Sequence, residues 1–306
     1  MTAHSRGAVS ADGIALALSG GAARTIAHLG ALRVLQRAGI PIACYAGTSG
    51  GALIAVLRAA GYPLVDLERE ARGVEWRRLV EFRPHPLGIL STERLSDFVV
   101  RRIGALRFEE LEQPCAVVAT DLTAGEKRVF RSGPVARAVA ASCAIPEFYR
   151  PVTIDGHTCI DGGIVEPLPV ETAAALGAGQ RRPLVACSVL GKRAGPTQPR
   201  HLWHLLGRIT ELVQYELARR SAAMADLSIE PEVGGCALFD LERADELLAA
   251  GARAMEACLG RLEALLAGRQ PRGGGRARRA RRMPASRAAR ADDRRDDRQE
   301  NGSRNG

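Results

Sequence analysis

The chain has 306 residues, 46% of them hydrophobic, enough for one large α/β domain or two small ones. Aromatic residues make up only 4% while Ala and Leu abound, which argues against an all-β sandwich and for helices packed on a sheet. The net charge of +9 is concentrated at one end: residues 269–306 hold 13 Arg against 5 Asp plus Glu, and the remaining 268 residues hold 30 Lys plus Arg against 29 acids.

Residues 1–11 read as a flexible leader without the apolar stretch of a signal peptide. GIALAL at 13–18 then reads as a buried strand, followed at once by SGGAAR. A helical pattern with Ile26, Leu29, Leu32 and Leu35 ends at Gly39. Pro41-Ile42 opens a second strand, which runs into the glycine turn around Ser49. A second helix follows and stops at Gly61-Tyr62-Pro63. Strand, glycine turn and helix, given twice, indicate a parallel sheet with helices on its faces, and ligands in such sheets sit at the carboxyl ends of the strands.

Further along, 62–110 is mostly helical, broken by EFRPHPLGIL at 81–90, which reads as a loop or lid. CAVVAT at 115–120 is a core strand, TAGE a hairpin turn, and 135–142 a short helix. VTIDGHTCIDGG at 152–163 reads as a small hairpin turning at Asp155-Gly156 and closing on a second Asp-Gly turn. PLVACSVL at 183–190 is another strand. The helix over 201–224 carries Leu202, Leu205, Ile209 and Leu212 on one stripe, which is expected to pack on the core, with a lipid-facing mouth as the other use. A short strand and a helix over 244–267 close a domain spanning 12–267. Residues 268–306 hold almost nothing large and apolar and read as a disordered Arg-rich tail.

The seven cysteines are scattered, with no C-x-x-C pair, so neither a zinc site nor a disulfide framework is expected, and a reducing cytosol is the implied setting. No run approaches the ~20 apolar residues of a membrane span. A cytoplasmic protein is expected, with peripheral membrane contact through the tail. The tail's arginines can meet anionic lipid, and its lack of aromatic residues argues against specific nucleic-acid readout.

Gly47-x-Ser49-x-Gly51 sits where a strand passes into a helix. Such a turn lifts a serine hydroxyl clear of the backbone and puts the next amide, that of Gly50, at the positive end of a helix. The other reading is a tight turn with a buried or capping serine. Ser19-Gly20-Gly21-Ala22 offers backbone amides that can converge on one point. A phosphate loop is the competing use, but neither G-x-x-x-x-G-K nor G-x-G-x-x-G is present. A serine nucleophile needs a base. None of the six histidines sits in a motif aiming it at Ser49, although His201 or His204 would suit the order of a Ser-Asp-His triad. Asp161, followed by Gly162-Gly163, can act as a carboxylate base in a partly dry cleft, or be an ordinary Asp-Gly turn.

Gly20-Gly21-x-x-Arg24, Gly47-x-Ser49-x-Gly51 and Asp161-Gly162-Gly163, in this order, resemble the patatin-like phospholipase family, especially its short bacterial members. ATDLTAGE at 119–126, ASCAIPEFYRPV at 141–152 and IEPEVGG at 229–235 add to the likeness, which covers about residues 12–265. The resemblance implies a three-layer α/β/α sandwich with a mostly parallel central sheet, like that of cytosolic phospholipases. It implies hydrolysis of lipid acyl esters through an acyl-enzyme, by a Ser49–Asp161 dyad with no cofactor and no metal. It further implies an oxyanion hole at Gly20, Gly21 and Ala22, with Arg24 beside it. Two residues depart from the family's glycine loop: Ala22 and Thr25 stand where glycine is usual. A side chain at either place resists positive φ. The competing reading is a catalytically weak or dead scaffold that binds anionic lipid or nucleic acid through its Arg-rich tail.

Overall fold

β1 (Ile14–Leu18) and β2 (Ile42–Thr48) are almost continuous apolar runs, as strands covered on both faces must be. A computed structural model describes residues 13–73, 81–146, 148–177, 182–191, 198–237 and 240–268, and sets these two strands parallel at the middle of an eight-stranded sheet. The expected leader at 1–11 and the Arg-rich tail after Gly268 lie outside the described residues. β9 (Leu184–Cys187) and β10 (Leu227–Ile229) continue the sheet in parallel beyond β1, and β5 (Cys115–Asp121) does so beyond β2. Two strands run against this direction, β6 (Glu126–Phe130) and β8 (His157–Asp161), while β7 (Val152–Ile154), antiparallel to β8, runs with it.

Alternation along the central strands builds the layers. Leu16, Leu18 and Tyr45 enter a core shared with α1 (Ile26–Arg37), α2 (Gly50–Ala59) and the long α8 (Ala244–Leu266). The same core takes Leu64 and Leu67 from α3 (Leu64–Gly73) and Leu95 and Val99 from α4 (Glu93–Ile103). Ala17, Ala46 and Ala186 face the other side, where α6 (Val170–Leu176) contributes Val170 and Ala173, and α7 (Leu202–Ala222) contributes Ala218. The mostly parallel sheet with helices on both sides is the three-layer arrangement expected.

One register detail positions everything that follows. β5 pairs with β6 through Val117–Asp121, and on its opposite edge with two strands in succession. Tyr45–Thr48 of β2 pair with Cys115–Val118, and Cys159–Asp161 of β8 pair with Ala119–Asp121. β2 and β8 therefore meet head to head, with Thr48 opposite Val118 and Asp161 opposite Ala119.

Two elements differ from expectation. EFRPHPLGIL is an antiparallel hairpin of β3 (Glu81–His85) and β4 (Gly88–Ser91), with Phe82 opposite Leu90. β3 is an edge strand of this hairpin, where a proline such as Pro84 is tolerated. The stripe Leu202, Leu205, Ile209 and Leu212, expected in the core, is exposed. The helix turns its small residues inward instead, and Ala218 is the residue of α7 that is buried. Among the described residues no helix is long and apolar enough to cross a membrane.

Candidate active site

Ser49 stands at the junction of β2 and α2 with φ 54° and ψ −128°, a strained backbone for a residue with a side chain. Three contacts hold it there. Its carbonyl accepts the amides of Ala52 and Leu53 as α2 begins. Its own amide donates to Ser142 Oγ at 2.8 Å, and Ser142 Oγ donates to the Val118 carbonyl at 2.6 Å. Ser142 ends α5 (Val135–Ser142) and is buried, so one hydroxyl pins the bend to β5.

The head-to-head meeting of β2 and β8 brings Asp161 to Ser49 across 112 residues of chain: Ser49 Oγ donates to Asp161 Oδ2 at 2.6 Å. The other carboxyl oxygen, Oδ1, accepts the Gly163 amide at 2.7 Å and caps the short turn Gly162–Ile164. The Asp-Gly turn and the partner of Ser49 are thus one residue, using one oxygen for each. Burial pushes the Asp161 carboxyl up to about 6, against the opposing pull of the Ser49 and Gly163 hydrogen bonds.

The glycines around this pair make room for backbone. A Cβ on Gly51 would meet the carbonyl oxygens of Leu18 and Ser19 at 2.4 Å, and one on Gly162 the Val118 carbonyl at 2.3 Å. Gly47 lies equally close to Ala52.

The loop after β1 runs beside Ser49. A Cβ on Gly20 would approach the Ser49 Cβ to 3.1 Å, and the Gly20 amide is engaged by the Pro167 carbonyl at 3.0 Å. Gly20 therefore serves by its lack of a side chain, and the expectation that its amide is a donor to ligand does not hold in this geometry. The amides of Gly21, Ala22 and Gly50 have no hydrogen-bond partner among the described residues. Ala22 does take positive φ, 47°, despite its Cβ, at a cost of about 1–2 kcal/mol. Thr25, the other departure, has an ordinary helical backbone, and its hydroxyl donates to the Ala22 carbonyl at 2.6 Å. That bond braces the strained residue three positions earlier. Arg24 is buried, with Nε on the Cys236 carbonyl at 2.9 Å and Nη2 paired to Glu211 of α7 at 3.4 Å.

The patatin-like phospholipase family model matches residues 16–174, just over half of the chain and the stretch that holds all three motifs. The chain belongs to the patatin-like phospholipase family. An uncharacterized NTE family protein of Mycobacterium tuberculosis is 37% identical over 192 residues, 62% of this chain and 52% of that protein. Patatin-like phospholipase domain-containing protein 6 of Homo sapiens is 33% identical over 175 residues, 54% of this chain and 13% of that protein. The chain thus spans about half the length of the mycobacterial relative, and far less of the human one. The crystal structure of VipD from Legionella pneumophila shares the fold, with a TM-score of 0.53 at 16% identity, covering 82% of this chain and 67% of that one.

In this patatin-like site Ser49 opens onto two connected spaces. A cleft is lined by Gly21, Asp161, Phe148, Glu211 and Gln214. An apolar pocket of about 150 Å³ runs between the helices on one face of the sheet, lined by Ile26, Leu53, Leu57, Leu95 and Phe98 among others. The two share Ala22, Ser49 and Ile145. Cys143 also lines the pocket, and burial together with the Asp161 charge pushes its thiol well above the ordinary range, so it stays protonated.

Among the described residues no histidine lines either space. At the start of α7 His201 Nδ1 accepts the His204 amide and His204 Nδ1 accepts the Arg200 amide. His28 is buried, lowered to about 4 by burial, and therefore neutral. Its Nε2–H donates to the Ser19 carbonyl at 2.9 Å while Nδ1 faces Cys187 Sγ at 3.2 Å, which steadies the start of the glycine loop. Sequence reasoning missed the parts of Ser142 and His28 in the patatin-like site. ASCAIPEF, the segment holding Ser142, stood out only for its likeness to the family.

Proposed function

We propose that residues 12–267 form a serine acyl-ester hydrolase acting on lipid esters through Ser49 and Asp161. The single observation that carries this reading is the 2.6 Å hydrogen bond from Ser49 Oγ to Asp161 Oδ2 at the mouth of an apolar pocket. Asp161 takes the hydroxyl proton as Ser49 Oγ attacks the ester carbonyl carbon. The carbonyl oxygen becomes an oxyanion, which the amides of Gly21, Ala22 and Gly50 receive; one such donor is worth roughly 2.7–4 kcal/mol of barrier. The tetrahedral centre collapses, and the departing alkoxide takes the proton from Asp161. Water then attacks the acyl-Ser49 ester, giving a proton to Asp161, and the second tetrahedral centre collapses to release the carboxylic acid as Ser49 Oγ takes that proton back from Asp161.

The raised carboxyl suits this work, because a base titrating near 6 is ionised at neutral pH and a better proton acceptor than an ordinary carboxylate. The acyl chain is assigned to the apolar pocket. A cavity of about 150 Å³ takes a guest of benzene size, so the pocket holds about six carbons of the chain. Seven free cysteines, five of them buried, suit a reducing cytoplasm. The scaffold alternative loses ground because the Ser49–Asp161 bond and the unengaged loop amides are those a working site needs.

Esterase assays on four proteins test the reading. Ser49→Ala and Asp161→Asn are expected to lose at least about 10³-fold in kcat/KM, while His201→Ala/His204→Ala keeps wild-type activity. Loss in the double histidine variant comparable to that of Ser49→Ala, with folding intact, would replace the dyad with a triad.

A further inference from the structure

Two walls of the Ser49 cleft leave large apolar side chains in water. The first wall is α7, whose Gly207, Thr210, Glu211 and Gln214 line the cleft. Leu202, Leu205, Ile209 and Leu212 recur at the helical period on the opposite side of the same helix. All four are exposed, Leu202 by 63%, and Trp203 beside them by 57%.

The second wall is the segment carrying Ile145, Phe148 and Tyr149, of which Ile145 and Phe148 line the cleft. The β3–β4 hairpin is bonded to it. The amides of Ile89 and Leu90 donate to the Phe148 carbonyl, and the Arg150 amide donates to the Leu90 carbonyl at 2.9 Å. Outside these bonds Phe82, Leu87 and Ile89 are exposed, Phe82 by 72%.

Apolar side chains concentrated at the rim of a cleft mark a surface that is covered in use. Whatever covers both walls must leave the cleft supplied with substrate. A protein partner or a second copy spanning them would shut the mouth, whereas a lipid surface covers both and is itself the source of the ester. An exposed tryptophan at the start of such a helix is a side chain suited to the boundary between lipid and water. The interior continues the same chemistry, because the cleft opens at Ser49 into the apolar pocket, and an acyl chain can pass from lipid to pocket along apolar groups.

We propose that α7 and the β3–β4 hairpin form an apolar collar that seats this protein on a lipid surface with the Ser49 cleft facing the lipid. The proposal rests on the reading of Ser49 as an acyl hydrolase. Adhesion through it is apolar, so it persists in salt that would screen arginine–phosphate attraction.

The test uses the full chain carrying Ser49→Ala, which separates binding from chemistry, and Trp76→Phe, which leaves Trp203 as the one tryptophan. Phosphatidylcholine vesicles are the probe, with Trp203 emission and co-sedimentation as readouts in low salt and in high salt. The expected result is a blue shift and co-sedimentation that high salt leaves in place. In the same background, Leu205→Ser/Ile209→Ser/Leu212→Ser and, separately, Phe82→Ser/Leu87→Ser weaken vesicle partition by at least about tenfold each. With Ser49 intact, both variants hydrolyse a short water-soluble ester as the wild type does.

Unchanged partition in both collar variants would overturn the proposal. Binding that needs anionic lipid and vanishes in high salt would overturn it in favour of the Arg-rich segment. Self-association in light scattering that the collar variants abolish would assign the face to a second copy instead. Brominated lipid tests the same contact with the collar unaltered: quenching of Trp203 is expected, and its absence on bound vesicles would overturn the proposal. Loss of esterase activity bears on Ser49 alone, and the vesicle arms are read without it.

Discussion

Ser142 Oγ accepts the amide of Ser49 at 2.8 Å and donates its hydroxyl hydrogen bond to the Val118 carbonyl at 2.6 Å, so the bend and the strand beneath it share one buried hydroxyl. Replacing it with Ala leaves the Ser49 amide and a β5 carbonyl without that partner. Ser142→Ala is expected to cost about 1–3 kcal/mol in urea unfolding. It should also lower kcat about tenfold, because the strained φ of Ser49 loses a restraint and the hydroxyl its aim. Wild-type kcat in this variant would remove Ser142 from the positioning of Ser49.

Asp161 ties activity and stability to pH in opposite directions. Its carboxyl titrates near 6 in the folded protein against 3.8 as the ordinary value, and only the ionised form is a base. kcat/KM should therefore rise with pH through about 6 and level off above it. The unfolded chain releases this proton first, so stability falls between about pH 4 and 6, by about 3 kcal/mol in all, and the cost is full at neutral pH. Asp161→Asn, which keeps a carbonyl for the Gly163 amide, should gain up to about 3 kcal/mol at pH 7 and little at pH 4. Equal stability of the two proteins across that range would contradict the origin assigned to the shift.

The positive φ of Ala22 makes a third prediction. Glycine relieves about 1–2 kcal/mol of left-handed strain and gives back part of it as unfolded-chain entropy. Ala22→Gly should stabilise by about 0.5–1 kcal/mol, near 2 °C in Tm for a domain of this size. Activity should stay within about twofold, because Thr25 already holds the Ala22 carbonyl in the conformation glycine would take.

Leu53 lines the apolar pocket one turn beyond Ser49 on α2. Leu53→Phe fills part of the space assigned to the acyl chain. In a series of p-nitrophenyl esters, octanoate should lose about tenfold more in kcat/KM than acetate. A uniform loss across the series would place the chain elsewhere.

The central motifs were legible because each forces its backbone locally. G-x-S-x-G between a strand and a helix admits few conformations, and Asp161-Gly162-Gly163 is a turn by composition. Their meeting was not legible from periodicity, since it depends on β2 and β8 sharing one edge of β5, a register that no local pattern encodes. The family resemblance supplied that pairing. Ser142 was hidden for the same reason: a serine ending an alanine-rich helix carries no sign that its hydroxyl reaches a bend 93 residues away. The stripe on α7 was read correctly as a pattern and assigned to the wrong side. Apolar stripes usually face the core. Here the inward side is Gly207 and Gln214, which line the cleft, and Ala218, which packs on the sheet, and the leucines are left outside.

The most direct measurement is mass spectrometry of the protein quenched moments after mixing with p-nitrophenyl butyrate. The account predicts a burst of nitrophenol and one butyryl group on the peptide containing Ser49, both absent in Ser49→Ala. Turnover of the ester without a burst, or a butyryl group found on Cys143 or a histidine with Ser49 unmodified, would contradict it.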